Sequence, residues 1–99
     1  MAEWICFLRP TRDDFAATMT DVERECWGRH ADRLAQGVQD GWVVLAGPTL
    51  GRTNIGVIVF EAPDETSARA VVDADPTVAE GHVTPELFAY RVSFLRGRD

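Results

Sequence analysis

The residue of this chain best suited to acid–base chemistry is His30. It lies four residues after Cys26 and four before Leu34, in a stretch whose apolar residues recur at helical spacing, so its ring is predicted to share the face that packs on the sheet. An imidazole there can take up and release a proton near neutral pH. The alternative is a core histidine satisfied by a backbone partner, which is the usual state of a buried polar group.

Asp75 is the second candidate for this chemistry. It immediately precedes Pro76, and a helix should stop there because the residue before a proline is pushed away from helical ψ. A carboxylate at such a point can orient a nearby imidazole and stabilise its positive charge. The commoner role of an aspartate in a turn is to bond its own backbone, and that alternative stays open.

Three further residues are candidates for ligand binding. Gly47 and Pro48 are predicted to open a loop of small residues whose free N–H groups could approach the oxygens of a ligand. A plain strand-ending loop would have the same composition. Arg9 could bind a substrate carboxylate if its side chain points into a cleft, whereas solvated surface charge is the default for arginine.

Several other chemistries are disfavoured. The only two histidines, His30 and His82, show neither HxxxH nor HxH spacing, and Cys6 and Cys26 lack the CxxC pattern, so the sequence predicts no metal site and no cofactor. It also contains no nucleotide-binding glycine motif. Ten basic and sixteen acidic residues give a net charge of −6, which repels phosphate backbones, so no nucleic-acid partner is predicted.

The strands and helices that must position these residues are predicted from the spacing of apolar residues and from the glycines and prolines that interrupt it. Strands are predicted over 3–9, 42–46, 54–61 and 86–95, and helices over 21–39 and 65–74 with a short turn at 76–81. Thr20 and Glu23 have capping-box spacing, Gly41 suits a left-handed helix end, and Asp64 can cap the second helix. The order βαββαβ predicts an α+β, ferredoxin-like fold with a four-stranded antiparallel sheet and two helices on one face.

Residues 1–99 are predicted to form one domain, because this length leaves no room for a second. Two helices can cover only one face of the sheet, yet the strands carry apolar side chains on both, so we expect a homodimer paired through the sheet faces. No apolar run approaches the roughly 20 residues of a membrane span. With no basic leader segment and two cysteines expected as free thiols, a cytoplasmic protein without membrane contact is expected.

A set of short motifs recurs here in a recognisable combination. They are Met19-Thr20-Asp21-Val22-Glu23, His30, Gly41, Ala46-Gly47-Pro48, Gly56, Ala74-Asp75-Pro76, Val78 and Gly81. In this combination the chain resembles the YCII-related (YciI-like) family across nearly its whole length. The resemblance implies a ferredoxin-like protomer in a dimeric α+β barrel, with a histidine and an aspartate as an active-site pair that map onto His30 and Asp75.

Three hypotheses follow for function. The first is a small-molecule enzyme, a lyase or isomerase in which Asp75 orients His30 as general acid and base. The second is a non-catalytic module that binds a small ligand or serves as an accessory dimer, because no nucleophile or cofactor motif accompanies the pair. The third is a cofactor-free monooxygenase on a related barrel, which rests on fold resemblance alone.

Overall fold

Two central strands and two flanking strands form one sheet, and three helices complete the fold in the computed structural model, which describes residues 1–97. In chain order the elements are β1 (Ala2–Pro10), α1 (Asp21–Asp40), β2 (Val43–Pro48), β3 (Gly56–Ala62), α2 (Glu65–Asp73), α3 (Pro76–Ala79) and β4 (Val83–Tyr90). The strand order is β2-β3-β1-β4, with every pair antiparallel. The predicted ferredoxin-like α+β fold is therefore confirmed; the last two residues of the predicted 1–99 domain lie outside the described residues.

The hydrophobic core lies between the sheet and the helices. Side chains alternate along β1, so that Trp4, Cys6 and Leu8 are buried on the helix side. They pack with Phe60 of β3 and Val72 of α2. Because both long helices sit on this side, the sheet presents its other face without cover from its own chain.

The ends of α1 form as the sequence predicts. The Thr20 hydroxyl accepts a hydrogen bond from the Glu23 N–H, and the Glu23 carboxylate accepts one from the Thr20 N–H, which completes a capping box. At the other end Gly41 takes a left-handed φ of 89° and its N–H bonds the Gly37 carbonyl. These caps fix where the helix begins and ends, and with them the position of His30 along it.

The fourth strand differs from its predicted span of 86–95. β4 begins at Val83, opposite Pro10 of β1, and ends at Tyr90, opposite Glu3. Beyond Tyr90 the backbone no longer pairs with β1, and the Val92 N–H bonds the Glu3 carboxylate instead. Residues 91–97 therefore lie outside the sheet, although the alternation of the sequence continues as far as Phe94.

The uncovered face of the sheet carries a group of apolar side chains beside the charged pair of Arg9 and Glu86. Ile5 and Phe7 of β1 point to it, and Phe88 of β4 packs edge-on to Phe7 with ring centroids 6.1 Å apart. Phe88 remains 51% exposed. Within the described part of the chain, no helix is both long enough and apolar enough to cross a membrane.

Candidate active site

His30 and Asp75 meet although 45 residues separate them in the chain. His30 Nδ1 lies 2.7 Å from Asp75 Oδ2, within hydrogen-bond distance. His30 projects from the middle of α1, and Asp75 is the N-cap residue of α3. The carboxylate is 2% exposed and the imidazole 13% exposed, so the pair is shielded from bulk water with the ring on the outer side.

The second oxygen of Asp75 is held by its own turn. Oδ1 accepts hydrogen bonds from the Thr77 N–H at 2.9 Å and from the Thr77 hydroxyl at 2.6 Å. Pro76 occupies the first helical position after this cap, where its fixed φ suits a helix start. Asp75 thus both bonds its own turn and contacts the imidazole, using a different oxygen for each.

The protonation state of Asp75 follows from these contacts. Burial alone raises the pKa of this carboxyl, but the hydrogen bonds from His30 and Thr77 outweigh it and hold the pKa below its ordinary value. Arg33 adds a positive charge, with Nη1 3.6 Å from Oδ2. An ionised carboxylate can only accept hydrogen bonds, so Nδ1 of His30 carries the proton between them. The neutral ring is then left with Nε2 as its basic nitrogen.

An open cavity of about 490 Å³ lies in front of the imidazole. His30, Ala31 and Leu34 of α1 line one side. The remaining lining residues come from the β1–α1 loop, α1, the β2–β3 loop and the sheet: Leu8, Phe15, Ala16, Met19, Trp27, Ala35, Val38, Ala46, Gly47, Pro48, Asn54, Gly56, Val57, Ile58 and Val83. Among the lining residues within 1–97, His30 is the only ionisable side chain. Any proton transfer inside this cavity must therefore use His30 or the ligand itself.

Asn54 joins two loops at the mouth of this cavity. Its Oδ1 accepts a hydrogen bond from the Ala16 N–H at 3.1 Å, and its Nδ2 donates to the carbonyls of Thr49 and Gly51. These bonds tie the β1–α1 loop to the β2–β3 loop. The bond between Asn54 and Ala16 therefore fixes the two loops relative to each other at the cavity wall.

The structure brings some of the predicted ligand-binding residues to the cavity and not others. Gly47 and Pro48 line it together with His30, but they lie inside β2 rather than in the predicted loop, because Pro48 pairs with Gly56 of β3. Arg9 is elsewhere. It points to the uncovered face of the sheet, where its guanidinium pairs with Glu86.

Several lining residues were not among the predicted site residues. Trp27 precedes His30 by three positions on the same helix, a spacing that brings side chains to one face. Phe15 is 2% exposed although it lies in a loop rich in charged residues. A single large aromatic within a polar loop was the signal that this loop folds back onto the protein.

A second group of ionisable side chains lies beside Trp27. The ligand atoms of Cys26, Glu80 and His82 all fall within 4.8 Å of one another. The His82 ring centroid is 6.2 Å from that of Trp27. None of these three residues lines the cavity, so the group is separate from the His30–Asp75 pair.

Comparison with known proteins agrees with this architecture. A solved structure of 5-chloro-2-hydroxyhydroquinone dehydrochlorinase (TftG) from Burkholderia phenoliruptrix AC1100, in complex with 2,5-dihydroxybenzoquinone, is similar with a TM-score of 0.66. The similarity covers 89% of this chain and 93% of that one at 16% sequence identity, and it shows a shared fold. No curated protein sequence matches the chain. The family model of the YCII-related domain matches residues 3–87, and the chain therefore belongs to the YCII-related domain family.

Proposed function

We propose that this protein is a small-molecule enzyme with lyase- or isomerase-type chemistry, in which His30 is the general acid and base and Asp75 orients it. The observation that carries the proposal is the 2.7 Å contact between His30 Nδ1 and Asp75 Oδ2 at the wall of a 490 Å³ cavity. That volume lies in the usual range for small-molecule sites, about 300 to 1,000 Å³.

The different roles of Asp75 and His30 follow from their surroundings. Asp75 fixes the ring by accepting a hydrogen bond from Nδ1–H, which leaves Nε2 to take a proton from an acidified C–H of the substrate. The ionised Asp75 then stabilises the imidazolium that forms. His30 completes the cycle by returning the proton to another atom of the substrate or to a leaving group. A positioned acid–base residue contributes about 10² to 10⁴ in rate.

The lining of the cavity favours proton transfer over covalent catalysis. It contains no cysteine, serine, threonine, lysine or carboxylate side chain among the described residues, so nothing there is suited to act as a nucleophile. It also contains no arginine that would hold a strongly anionic group. The substrate class that fits best is a compact, largely apolar ring whose own hydroxyl or carbonyl groups acidify a C–H bond.

The structural neighbour supports the same substrate class. That protein is a dehydrochlorinase for a chlorinated hydroxyhydroquinone and was solved with a dihydroxybenzoquinone. Loss of hydrogen and chloride is an elimination, which acid–base catalysis can drive once the C–H proton is acidic. For this chain we therefore propose a hydroxylated aromatic or quinone ring as the substrate, and an elimination or a tautomerisation as the reaction.

We further propose that the active form is a homodimer joined through the uncovered sheet faces. The support is the apolar character of that face, where Ile5, Phe7 and Phe88 lie together. Removing apolar surface from water is favourable by about 25 cal/mol per Å². A cytoplasmic location is part of the proposal, because Cys6 and Cys26 are free thiols of the kind that persist in reducing compartments.

The test uses the two compounds that the neighbour's name supplies. Binding of 2,5-dihydroxybenzoquinone and turnover of 5-chloro-2-hydroxyhydroquinone are measured for the wild type, His30→Gln, Asp75→Asn and Asp73→Asn. The last is a matched control, because Asp73 is an exposed aspartate at the end of α2. Turnover should fall by about 10² or more in the first two variants and stay unchanged in the control.

Other outcomes have definite meanings. Wild-type rates in folded His30→Gln and Asp75→Asn would exclude the acid–base mechanism. Tight binding of the quinone without turnover in any form would favour the non-catalytic ligand-binding module. Absence of both binding and turnover would reject the hydroxylated aromatic ring as the substrate class.

A further inference from the structure

Cys26, Glu80 and His82 come from two segments that the fold brings together. Cys26 lies on α1 with no exposed surface, one helical turn before His30. Glu80 is the C-cap of α3, and Gly81 separates it from His82 with a left-handed φ of 76°. One thiol, one carboxylate oxygen and one imidazole nitrogen all lie within 4.8 Å of each other.

The His82 ring is left without a partner at one nitrogen. Among the described residues, His82 Nε2 is the one buried side-chain nitrogen or oxygen with no hydrogen bond. The nearest carboxylate oxygen, Glu80 Oε1, lies 3.8 Å away, which is beyond hydrogen-bond distance. Buried polar atoms in folded proteins normally have partners, so this nitrogen points to a group that is not part of the chain.

The Glu80 carboxylate is held so that one oxygen remains directed at His82. Arg29 Nη1 binds Oε2 at 2.6 Å, and Oε1 is the atom nearest the imidazole. The Cys26 thiol also interacts with this carboxylate.

We propose that Cys26 Sγ, Glu80 Oε1 and His82 Nε2 bind one thiophilic divalent cation, of which Zn²⁺ is the fitting example. Zinc takes thiolate, imidazole and carboxylate ligands in tetrahedral sites, and three protein ligands leave the fourth position for water. A soft thiolate ligand favours zinc over magnesium or calcium. With metal–ligand distances of about 2.0 to 2.3 Å, ligand atoms on one ion lie about 3 to 4 Å apart, so the group must contract by about 1 Å.

Each atom of the group gains a partner when the ion binds. The Cys26 S–H bond breaks, an S–Zn bond forms, and the proton leaves to solvent. The neutral His82 ring donates its Nε2 lone pair to the ion, which ends the unpaired state of that nitrogen. Glu80 keeps its bond to Arg29 through the other oxygen.

The ion would connect α1 to the segment between α3 and β4. Cys26 precedes His30 by four residues, and Glu80 follows Asp75 by five. An ion bound to both segments would stabilise their contact, and with it the distance between His30 and Asp75. The ion would not touch the substrate, because none of its ligands lines the cavity.

The test measures Zn²⁺ binding to the full chain after its metal has been removed with a chelator. Competition with a colorimetric zinc chelator gives stoichiometry and affinity for the wild type, His82→Gln, Cys26→Ser, and two matched controls. Cys6→Ser removes the other buried thiol, and His30→Gln removes the other histidine. We expect one Zn²⁺ per chain, an affinity at least about tenfold lower in the first two variants, and unchanged affinity in the controls.

Co²⁺ provides a second readout that does not require every variant to fold. Bound to wild-type protein, it should give the near-ultraviolet absorption of a thiolate–cobalt bond, and Cys6→Ser should keep that absorption. Three results would overturn the proposal: no stoichiometric Zn²⁺ binding by the wild type, unchanged affinity in folded His82→Gln, or a cobalt spectrum without thiolate absorption. Loss of binding in His30→Gln alone would instead place the ion at the His30–Asp75 pair.

Discussion

Arg12 binds both carboxylate oxygens of Glu23. Arg12 Nη1 lies 2.9 Å from Oε2, and Nη2 lies 2.8 Å from Oε1. Glu23 is also the capping-box residue of α1, since Oε1 accepts the Thr20 N–H. The guanidinium sits 4.6 Å from the ring centroid of Phe15. One ion pair thus fixes the loop that carries Phe15 over the cavity to the first turn of the helix that carries His30.

Removing this pair should loosen the β1–α1 loop while the sheet stays intact. The hydrogen bond from Arg12, followed by the one from the Thr20 backbone, lowers the pKa of Glu23 to about 2, so the pair is fully ionised at neutral pH. We expect Arg12→Gln to speed amide hydrogen exchange at Ala17 and Thr18 roughly fivefold, because their bonds to Asp14 lie in this loop. Exchange in β1 and β3 should not change.

Arg24→Gln is the control for that experiment. Arg24 also pairs with a carboxylate near the start of α1, but with exposed Asp21 at 3.4 Å, and exposed pairs contribute little. Equal exchange rates in wild type and Arg12→Gln would mean that the loop is held by Asn54 and its own backbone bonds alone.

Thr77 should act as the positioning residue for Asp75. Thr77→Val keeps the side-chain shape but removes the hydroxyl donor to Oδ1, which is 2.6 Å away, and should lower the free energy of unfolding at pH 7 by about 1 to 3 kcal/mol. The folded-state pKa of Asp75 is depressed below its ordinary 3.8, so its stabilisation is present above that pH and is lost as pH falls through the folded pKa. The variant should raise that pKa toward the unfolded value, so the acid-induced loss of stability should be smaller and should be complete at a higher pH.

Urea unfolding from pH 7 to pH 3 checks this expectation. Thr77→Ser restores the hydroxyl and should restore the pH profile, although it removes a buried methyl group. If Thr77→Val and Thr77→Ser lost stability in parallel at every pH, the hydroxyl would have no specific role at Asp75.

Two glycines of α1 should respond in opposite ways to alanine. A Cβ at Gly37 would lie 2.5 Å from Val43 Cγ2 and 2.7 Å from the Trp42 ring, and overpacking of this kind costs about 1 to 3 kcal/mol. A Cβ at Gly28 meets nothing within 4 Å, so the helix preference for alanine should stabilise the protein by about 0.5 to 1 kcal/mol. Thermal unfolding of the two single variants measures whether Gly37→Ala lowers and Gly28→Ala raises the stability. Destabilisation by Gly28→Ala would contradict the geometry.

The local features of the fold were readable from the sequence because each depends on neighbouring residues. Thr20 and Glu23 are three positions apart, and Gly41 immediately follows the helix that it ends. The span of β4 was wrong because strand length depends on the partner strand. The residues after Tyr90 alternate as a strand would, yet they form no pairs with β1, and the Val92 N–H bonds the Glu3 side chain instead.

The candidate site was predictable only where a family resemblance linked distant residues. His30 and Asp75 carried weak signals separately, and the resemblance joined them. The group of Cys26 and His82 had no such link, since 56 residues separate them and no metal-binding spacing is present. Arg9 lies away from the cavity, because strand alternation places it on the opposite face of the sheet and its neighbour Leu8 takes the inner position.

The proposed dimer gives the last prediction. Phe88 lies on the uncovered sheet face, is 51% exposed and packs against Phe7. In a monomer a glutamate at this position would be hydrated at little cost, whereas in a dimer joined through this face it would bury a charge among apolar side chains. We therefore expect Phe88→Glu to be a folded monomer and the wild type to be a dimer, as measured by light scattering after size-exclusion chromatography.

Leu50→Glu is the matched control, because Leu50 is more exposed still but lies in the β2–β3 loop, and it should remain dimeric. A monomeric wild type, or dimers that survive in Phe88→Glu, would show that this face does not join two copies.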